Sequence, residues 1–280
     1  MNSRMSSSTI TVGDLSDWLG QFAPTALAED WDNVGLLVGD RARIVSRIMT
    51  CLTPTPESVA EAIERRADLI VAHHPLPFRP IKRITRGDAT GGMLLDLIEA
   101  HVALYSPHTA FDSALRGINQ RIAEGLGLTE IQPIRVTTAA TFAGTETDMG
   151  SGRWGRLSTP LPVSQWLDQV ARFFHVDGLH WVDGGKSEVR CVAVACGAAG
   201  EFLADAARLG CDAFVTGELR FHSALEARAR SVHVAVPGHH ATERFAVEEL
   251  ASELRARFAN IEVWASERES DPMLWRAVND

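Results

Sequence analysis

Four short stretches of the chain place imidazoles or carboxylates directly after apolar, β-prone runs. In "LIVAHHP" His73 and His74 follow Leu69 to Ala72, and in "VALYSPHTAFD" His108 and Asp112 follow Tyr105. In "AFVTGELRFH" Glu218 and His222 follow Thr216, and in "VAVPGHHATE" His239 and Glu243 follow Val236. Imidazole and carboxylate are the ligands of Zn, Fe, Mn and related divalent ions. A lone histidine at a strand end is more often a surface or hydrogen-bonded residue, and His239-x-x-x-Glu243 alone could be an exposed helix pair. Polar clusters at four strand ends of one chain shift the reading to a metal site. Residues i and i+4 share a helix face, so His239 and Glu243 can reach one centre from one turn. On regular strand geometry His73 and His74 would diverge. At a strand end leading into Pro75 the two rings could instead serve two metals. Five or more ligands with carboxylates able to bridge suggest a dinuclear centre, two divalent ions per chain.

These residues converge only if strands deliver them to one place, and ligands in open α/β sheets gather beyond the carboxyl ends of the strands. The chain has the required rhythm. "SRIMTCL" (46–52), "DLIVA" (68–72) and "VALYS" (102–106) read as strands. "TPESVAEAIERRA" (55–67) reads as a helix with Thr55 as N-cap, Pro56 at the first helical position and Glu57 in the first turn. "GGMLLDLIEAH" (91–101), the single stretch "TAFDSALRGINQRIAEGLG" and "VSQWLDQVARFF" (163–174) read as further helices. Strands alternating with helices of this length predict βαβ units in a largely parallel or mixed sheet. Strands lying parallel in one sheet would bring all four polar ends together. An internal repeat supports duplication: residues 51–75 align with 195–219 at an offset of 144, and "VALYSPHTAFD" with "VHVAVPGHHATE" at a shorter one.

Other features exclude more than they assign. Gly150, Gly152 and Gly155 complete a G-x-G-x-x-G match in a stretch (137–164) rich in Gly, Ser, Thr and Pro. A dinucleotide fingerprint needs a buried strand before it and a helix opening within it. "GTETDM" precedes and "RLSTPLP" follows, so the glycines read as a turn or bulge linking strands. Cys51, Cys191, Cys196 and Cys211 form no C-x-x-C pair and read as reduced, mostly buried thiols. A formal charge of −9 opposes strong nucleic-acid binding. "MNSRMSSSTITVGDL" has no apolar signal-peptide core and no stretch is long enough to span a membrane, so a cytoplasmic protein is expected.

The segments "LAEDWDNVGLLVGD", "ADLIVAHHPLPFRPIKRIT", "YSPHTAFD", "GSGRWGRL", "DAFVTGEL" and "PGHHATE" resemble, in order, the signature stretches of the NIF-three-like family. That is a family of dinuclear-metal proteins often labelled GTP cyclohydrolase I type 2. The resemblance runs from about Leu15 to Leu254 and lacks the extra domain that longer members insert. It implies an α/β fold of two similar halves with mixed sheets, the metals between them, assembled as a toroidal homohexamer. Residues 1–128 together with 237–280 would form one half and 129–236 the other. The implied metal ligands are His73, His74, Asp112, His239 and Glu243, with Glu243 a bridge and His108 a ligand-like neighbour or an acid–base group. Two departures stand out: Thr53 where members often carry Asp, and Arg220-Phe221-His222 where a His pair commonly follows Gly-Glu.

The resulting expectation is a metal-dependent hydrolase acting on a purine nucleotide or related small anionic substrate. His108 or His222 would transfer the proton. Arg79, Lys82 and Arg83 would form a basic rim, with Asn33 and Glu218 lining the pocket. The competing expectation is a non-enzymatic, ring-forming metal-binding regulator or scaffold, which would tolerate changes at His108 and His222.

Overall fold

Alternate residues of the central strands serve different cores, and this places every layer of the fold. The computed structural model describes residues 9–142 and 145–274, so the start of the N-terminal stretch and the outermost ends of the first expected half lie outside the described residues. In chain order the elements are α1 (Val12–Phe22), β1 (Gly35–Val38), β2 (Arg47–Cys51), α2 (Pro56–Glu64), β3 (Leu69–Ala72), α3 (Ala89–Glu99) and β4 (Ala103–Ser106). There follow α4 (His108–Ser113), α5 (Ile118–Gly125), β5 (Leu128–Gln132), β6 (Arg135–Phe142), β7 (Thr145–Ser151), β8 (Arg153–Pro162) and α6 (Val163–Phe174). The remainder comprises β9 (His180–Val182), β10 (Glu188–Ala195), α7 (Leu203–Arg208), β11 (Ala213–Thr216), α8 (Phe221–Ala229), β12 (His233–Val236), α9 (His239–Arg257) and β13 (Glu262–Ala265).

One sheet has the order β1-β4-β3-β2-β13, the other β5-β8-β10-β11-β12-β9, and β6 and β7 pair as a separate ribbon. Ile48, Val71, Ala103 and Tyr105 of the first sheet share a core with Val192, Val194, Val215 and Ala235 of the second. Phe111, Ile122, Trp166 and Leu250 of α4, α5, α6 and α9 fill the same core. The intervening residues Met49, Ile70 and Leu104 face outward onto α2 and α3, and Ala193, Phe214 and Val234 pack with Leu203 and Ala227 of α7 and α8. Burial on both faces explains why these strands read as continuous apolar runs.

The repeat inferred at an offset of 144 is visible in the strand register. Ile48 pairs with Leu69 and Cys51 with Ala72, while Val192 pairs with Ala213 and Ala195 with Thr216, all in parallel. β4 and β12 extend each sheet in parallel, and β1 and β9 close them with antiparallel edges. The expectation that one sheet gathers all four polar strand ends is corrected here. β3 and β4 belong to one sheet and β11 and β12 to the other, so two ends come from each.

Helix boundaries follow local chemistry. Thr55 caps α2 through a reciprocal capping box with Ser58, and Asp88 caps α3 by accepting from the amide of Gly91 at 2.8 Å. The single helix expected from residue 109 is two, α4 and α5, joined through Gly117. A Cβ at Gly117 would overlap the carbonyl of Phe111, so only glycine lets the chain turn back this tightly. The glycines of the G-x-G-x-x-G match do sit at a strand connection: Gly152 has φ +63° between β7 and β8, and side chains at 150 or 155 would strike the neighbouring strand's backbone. The four cysteines are free and buried. Among the described residues no helix is long and apolar enough to cross a membrane.

Candidate metal centre

The β2–β3 ladder continues past the end of β3. The amide of His73 donates to the carbonyl of Cys51 at 2.9 Å and that of His74 to Leu52 at 2.8 Å, which fixes the direction of both side chains. Their ring centroids are 5.0 Å apart and tilted by 54°. His108 starts α4 with φ +27°, a left-handed conformation uncommon for a side chain of this size and typical of functional positions. His239 starts α9 immediately after Gly238, whose φ of +118° suits glycine alone.

These elements bring five predicted ligands and His108 together from both sheets. Nε2 of His73 lies 3.7 Å from Asp112 Oδ1 and 3.9 Å from Glu243 Oε1. Nε2 of His74 lies 3.2 Å, and Nε2 of His239 3.1 Å, from the other oxygen, Glu243 Oε2. Possible ligand atoms of His73, His74 and His108 group within 4.8 Å of one another, as do those of His74, His239 and Glu243.

The charges are arranged around Glu243. Burial works against its charged form, yet the imidazoles of His239 and His74 hold its carboxyl far below the usual range. The same pairing raises His239 to about 9 against the opposing effect of burial, with Glu218 adding to it. Asp112 is pushed up to about 7, first by burial and then by the neighbouring Glu243 charge. Burial keeps His73 neutral, well below the usual imidazole range.

A divalent cation fits this donor set. Both ring nitrogens of buried His73 and Oε2 of Glu243 lack a hydrogen-bond partner, although the Glu243 oxygen lies close to two imidazoles. Leaving a buried polar group unsatisfied costs ~1–3 kcal/mol, so such groups call for a partner. Neutral imidazole and carboxylate are the donors Zn, Fe or Mn would accept.

Around these residues stands a layer that sequence reasoning largely missed. Asp32 Oδ1 lies 2.7 Å from Nδ1 of His108, and its carboxylate accepts from the amide of Thr109 at 3.1 Å and from the Thr109 hydroxyl. Those contacts overcome burial and bring Asp32 down to about 2. Thr53 Oγ1 is 2.7 Å from Nδ1 of His74, so the departure at this position keeps a hydrogen bond to the ring. The Glu269 carboxylate accepts from the amides of Leu52 and Thr53, fixing that turn. Cys196, just past the end of β10, donates its thiol to Asp112 Oδ1 at 3.2 Å, and Asn119 ties the Asp112 carbonyl to the Cys196 amide.

The expected substrate residues divide. Arg79, Lys82 and Arg83 are exposed and form no ion pair with a described residue. Asn33 donates to the carbonyl of Pro77 at 2.8 Å, bracing two loops. Glu218 Oε1 lies 2.6 Å from Nδ1 of His239 and orients that ring. His222 is exposed on the first turn of α8 beside Phe221, and among the described residues it forms no hydrogen bond or ion pair with the cluster.

A profile of the Duf34/NIF3 family (NGG1p interacting factor 3) matches residues 10–272. The chain belongs to the DUF34/NIF3 family. Among its relatives, a GTP cyclohydrolase 1 type 2 homolog of Clostridium acetobutylicum is 29% identical over 94% of this chain and 98% of its own. NIF3-like protein 1 of Drosophila melanogaster is 31% identical, covering 91% of this chain and 86% of its own. The solved structure of a Staphylococcus aureus hypothetical protein superposes with a TM-score of 0.84 at 25% identity, covering 96% of this chain and 100% of that one. This DUF34/NIF3 protein therefore has the mixed α/β fold of two similar halves expected above, and its His/Glu cluster is compatible with metal binding.

Proposed function

We propose that this DUF34/NIF3 protein is a metal-dependent hydrolase whose cluster holds two divalent cations and acts on a small anionic substrate. The observation that carries the reading is the division of Glu243. One of its oxygens faces His73, beside Asp112, and the other faces His74 and His239. Two ligand sets that share one carboxylate would hold two cations, one by His73, Asp112 and Glu243 and the other by His74, His239 and Glu243. Zn, Fe, Mn or a similar cation bound there supplies Lewis acidity and lowers the pKa of water.

The chain's own residues do the rest. Asp32 accepts the Nδ1 proton of His108 and so leaves Nε2 unprotonated, on a ring whose centroid lies 5.1 Å from that of His73 and 5.4 Å from that of His74. His108 takes a proton from the attacking water and returns it to the leaving group. Thr53 and Glu218 fix the rings of His74 and His239, as partners of metal-ligating imidazoles do. Arg79, Lys82 and Arg83 attract the anion toward an otherwise acidic molecule. The resemblance to a GTP cyclohydrolase 1 type 2 homolog supports a purine nucleotide as the substrate. Residues 1–128 with 237–280 and 129–236 are the two halves of this reading, supported by the strand membership of the two sheets. A cytoplasmic toroidal hexamer completes it.

The test is a panel of nucleotides and phosphoesters incubated with metal-loaded protein. The reading predicts turnover above buffer that His108→Ala abolishes while keeping its metal. No turnover from any compound, together with a His108→Ala chain that behaves as the parent, would favour the ring-forming regulator. Metal loss in His108→Ala would make that residue a ligand instead.

A further inference from the structure

Beside His108 two large aromatic side chains stand in solvent, Trp31 61% exposed and Phe78 48% exposed. Their ring centroids lie 5.9 Å apart with planes tilted by 48°. Each ring also meets the edge or face of His108, Trp31 at 5.9 Å and 75°, Phe78 at 6.0 Å and 74°. Neither segment is a loose loop tip. Asp32, next to Trp31, is pinned by His108 and Thr109, and Asn33 donates to the carbonyl of Pro77, next to Phe78. Two separate stretches of chain are thus braced to hold two exposed rings beside one catalytic imidazole.

Past Phe78 the exposed chain carries Arg79, Lys82 and Arg83, none paired with a described acid, whereas Arg86 is engaged by Asp96 and Glu99. Aromatic faces left in water bind other π-faces, and unpaired guanidinium and ammonium groups bind phosphate or carboxylate. Found together at the edge of one site, they select a ligand with both features.

We propose that Trp31 and Phe78 form a stacking notch for a planar heteroaromatic ring, whose anionic group is drawn by Arg79, Lys82 and Arg83. The notch presents the edge of that ring to His108. This deepens the hydrolase reading, on which it rests for the identity of the reacting site. It makes Trp31 and Phe78 specificity-determining residues for a class of substrate.

The test reads binding rather than turnover. Metal-loaded full-length protein, its metal content measured on the same preparation, is titrated calorimetrically with guanosine 5′-monophosphate, ribose 5-phosphate and inorganic phosphate. The nucleotide is expected to bind about ten-fold more tightly than ribose 5-phosphate, the contribution of one stacked base. Trp31→Ala or Phe78→Ala removes that difference, and Trp31→Phe retains most of it. The double variant Lys82→Ala, Arg83→Ala weakens all three ligands alike. Equal binding of nucleotide and ribose 5-phosphate by the parent overturns the notch, as does a Trp31→Ala chain that keeps the preference. A Trp31→Ala chain that changes its oligomeric mass in light scattering and still prefers the nucleotide assigns the rings to contact between copies, and overturns it too. A chain that prefers the nucleotide yet hydrolyses nothing sinks only the hydrolase reading.

Discussion

Two protons stand between the metal-free cluster and a bound cation. His239 holds one up to about 9 because Glu243 lies beside it, and Asp112 holds the other up to about 7 because it is buried near the same carboxylate. Metal ligands bind deprotonated, so one proton leaves as each of the two ligand sets fills, that of Asp112 from one and that of His239 from the other. Affinity therefore rises with pH, steeply below about 7 where both groups are protonated, and more gently up to about 9. Calorimetry in buffers of different ionisation enthalpy should record proton release at pH 7.5, and a pH-independent affinity between pH 6 and 9 would contradict this. Asp32 offers a second residue-scale test. Asp32→Asn replaces an acceptor-only carboxylate with an amide that can also donate, so the His108 tautomer is no longer imposed. The expected result is unchanged metal stoichiometry, altered nitrogen shifts of His108 by NMR, and activity down by roughly 10–100-fold. Unaltered shifts would remove Asp32 from the mechanism.

At the scale of elements, the turn after β10 delivers the second half's backbone to Glu243. Gly197 has φ +63°, and a Cβ there would overlap Glu243 Oε1, with His239 Nε2 only 3.5 Å away. Gly197→Ala should thus lose bound metal although no ligand is changed, while Gly200→Ala, whose Cβ would meet Leu219 at 3.6 Å and Ser223 at 3.8 Å, keeps it. Metal analysis of the two variants decides the point. Arg153 at the start of β8 holds α4, α5 and the β7–β8 turn together. Its buried guanidinium donates to the carbonyls of Gly150, Gly152, Ser113 and Ala114 and to Gln120. Arg153→Met leaves those carbonyls unsatisfied and should cost roughly 3 kcal/mol in urea unfolding; a loss within error of zero would refute the account. The placement of the ligands on strand ends and on the first turn of α9 was legible in the residues, because β-prone runs and i, i+4 spacing are local signals. The breaks were less so: glycine is required at 117 between α4 and α5 because a side chain there would strike the Phe111 carbonyl, and such a close approach leaves no periodic trace. Asp32 was missed for the same reason, since its partner His108 lies 76 positions away and nothing local marks the pair.

For the molecule as a whole, duplication explains why a site can sit between two similar units. The repeated βαβ register survives as Ile48–Leu69 and Val192–Ala213, but the polar residues at the strand ends have diverged, with His73 and His74 on one side and Gly217 and Glu218 on the other. The repeat was readable at low identity because apolar register persists, whereas the facing of two sheets was not, since pairing partners between them share no pattern. A cation held by residues following β3, β4 and β12 ties both sheets to one point. Saturating metal at 100 times its Kd stabilises the fold by about 2.7 kcal/mol per independent site. Chelation should accordingly lower Tm by about 5–10 °C in a chain of this size, and a Tm indifferent to chelator would argue against a site spanning the halves. The most direct test of the central claim is elemental analysis of the parent and Glu243→Gln proteins, both purified with excess Zn or Mn and then desalted. The shared carboxylate predicts about two cations per parent chain and the loss of at least one from the variant. No metal in the parent, or the same content in both proteins, would contradict it.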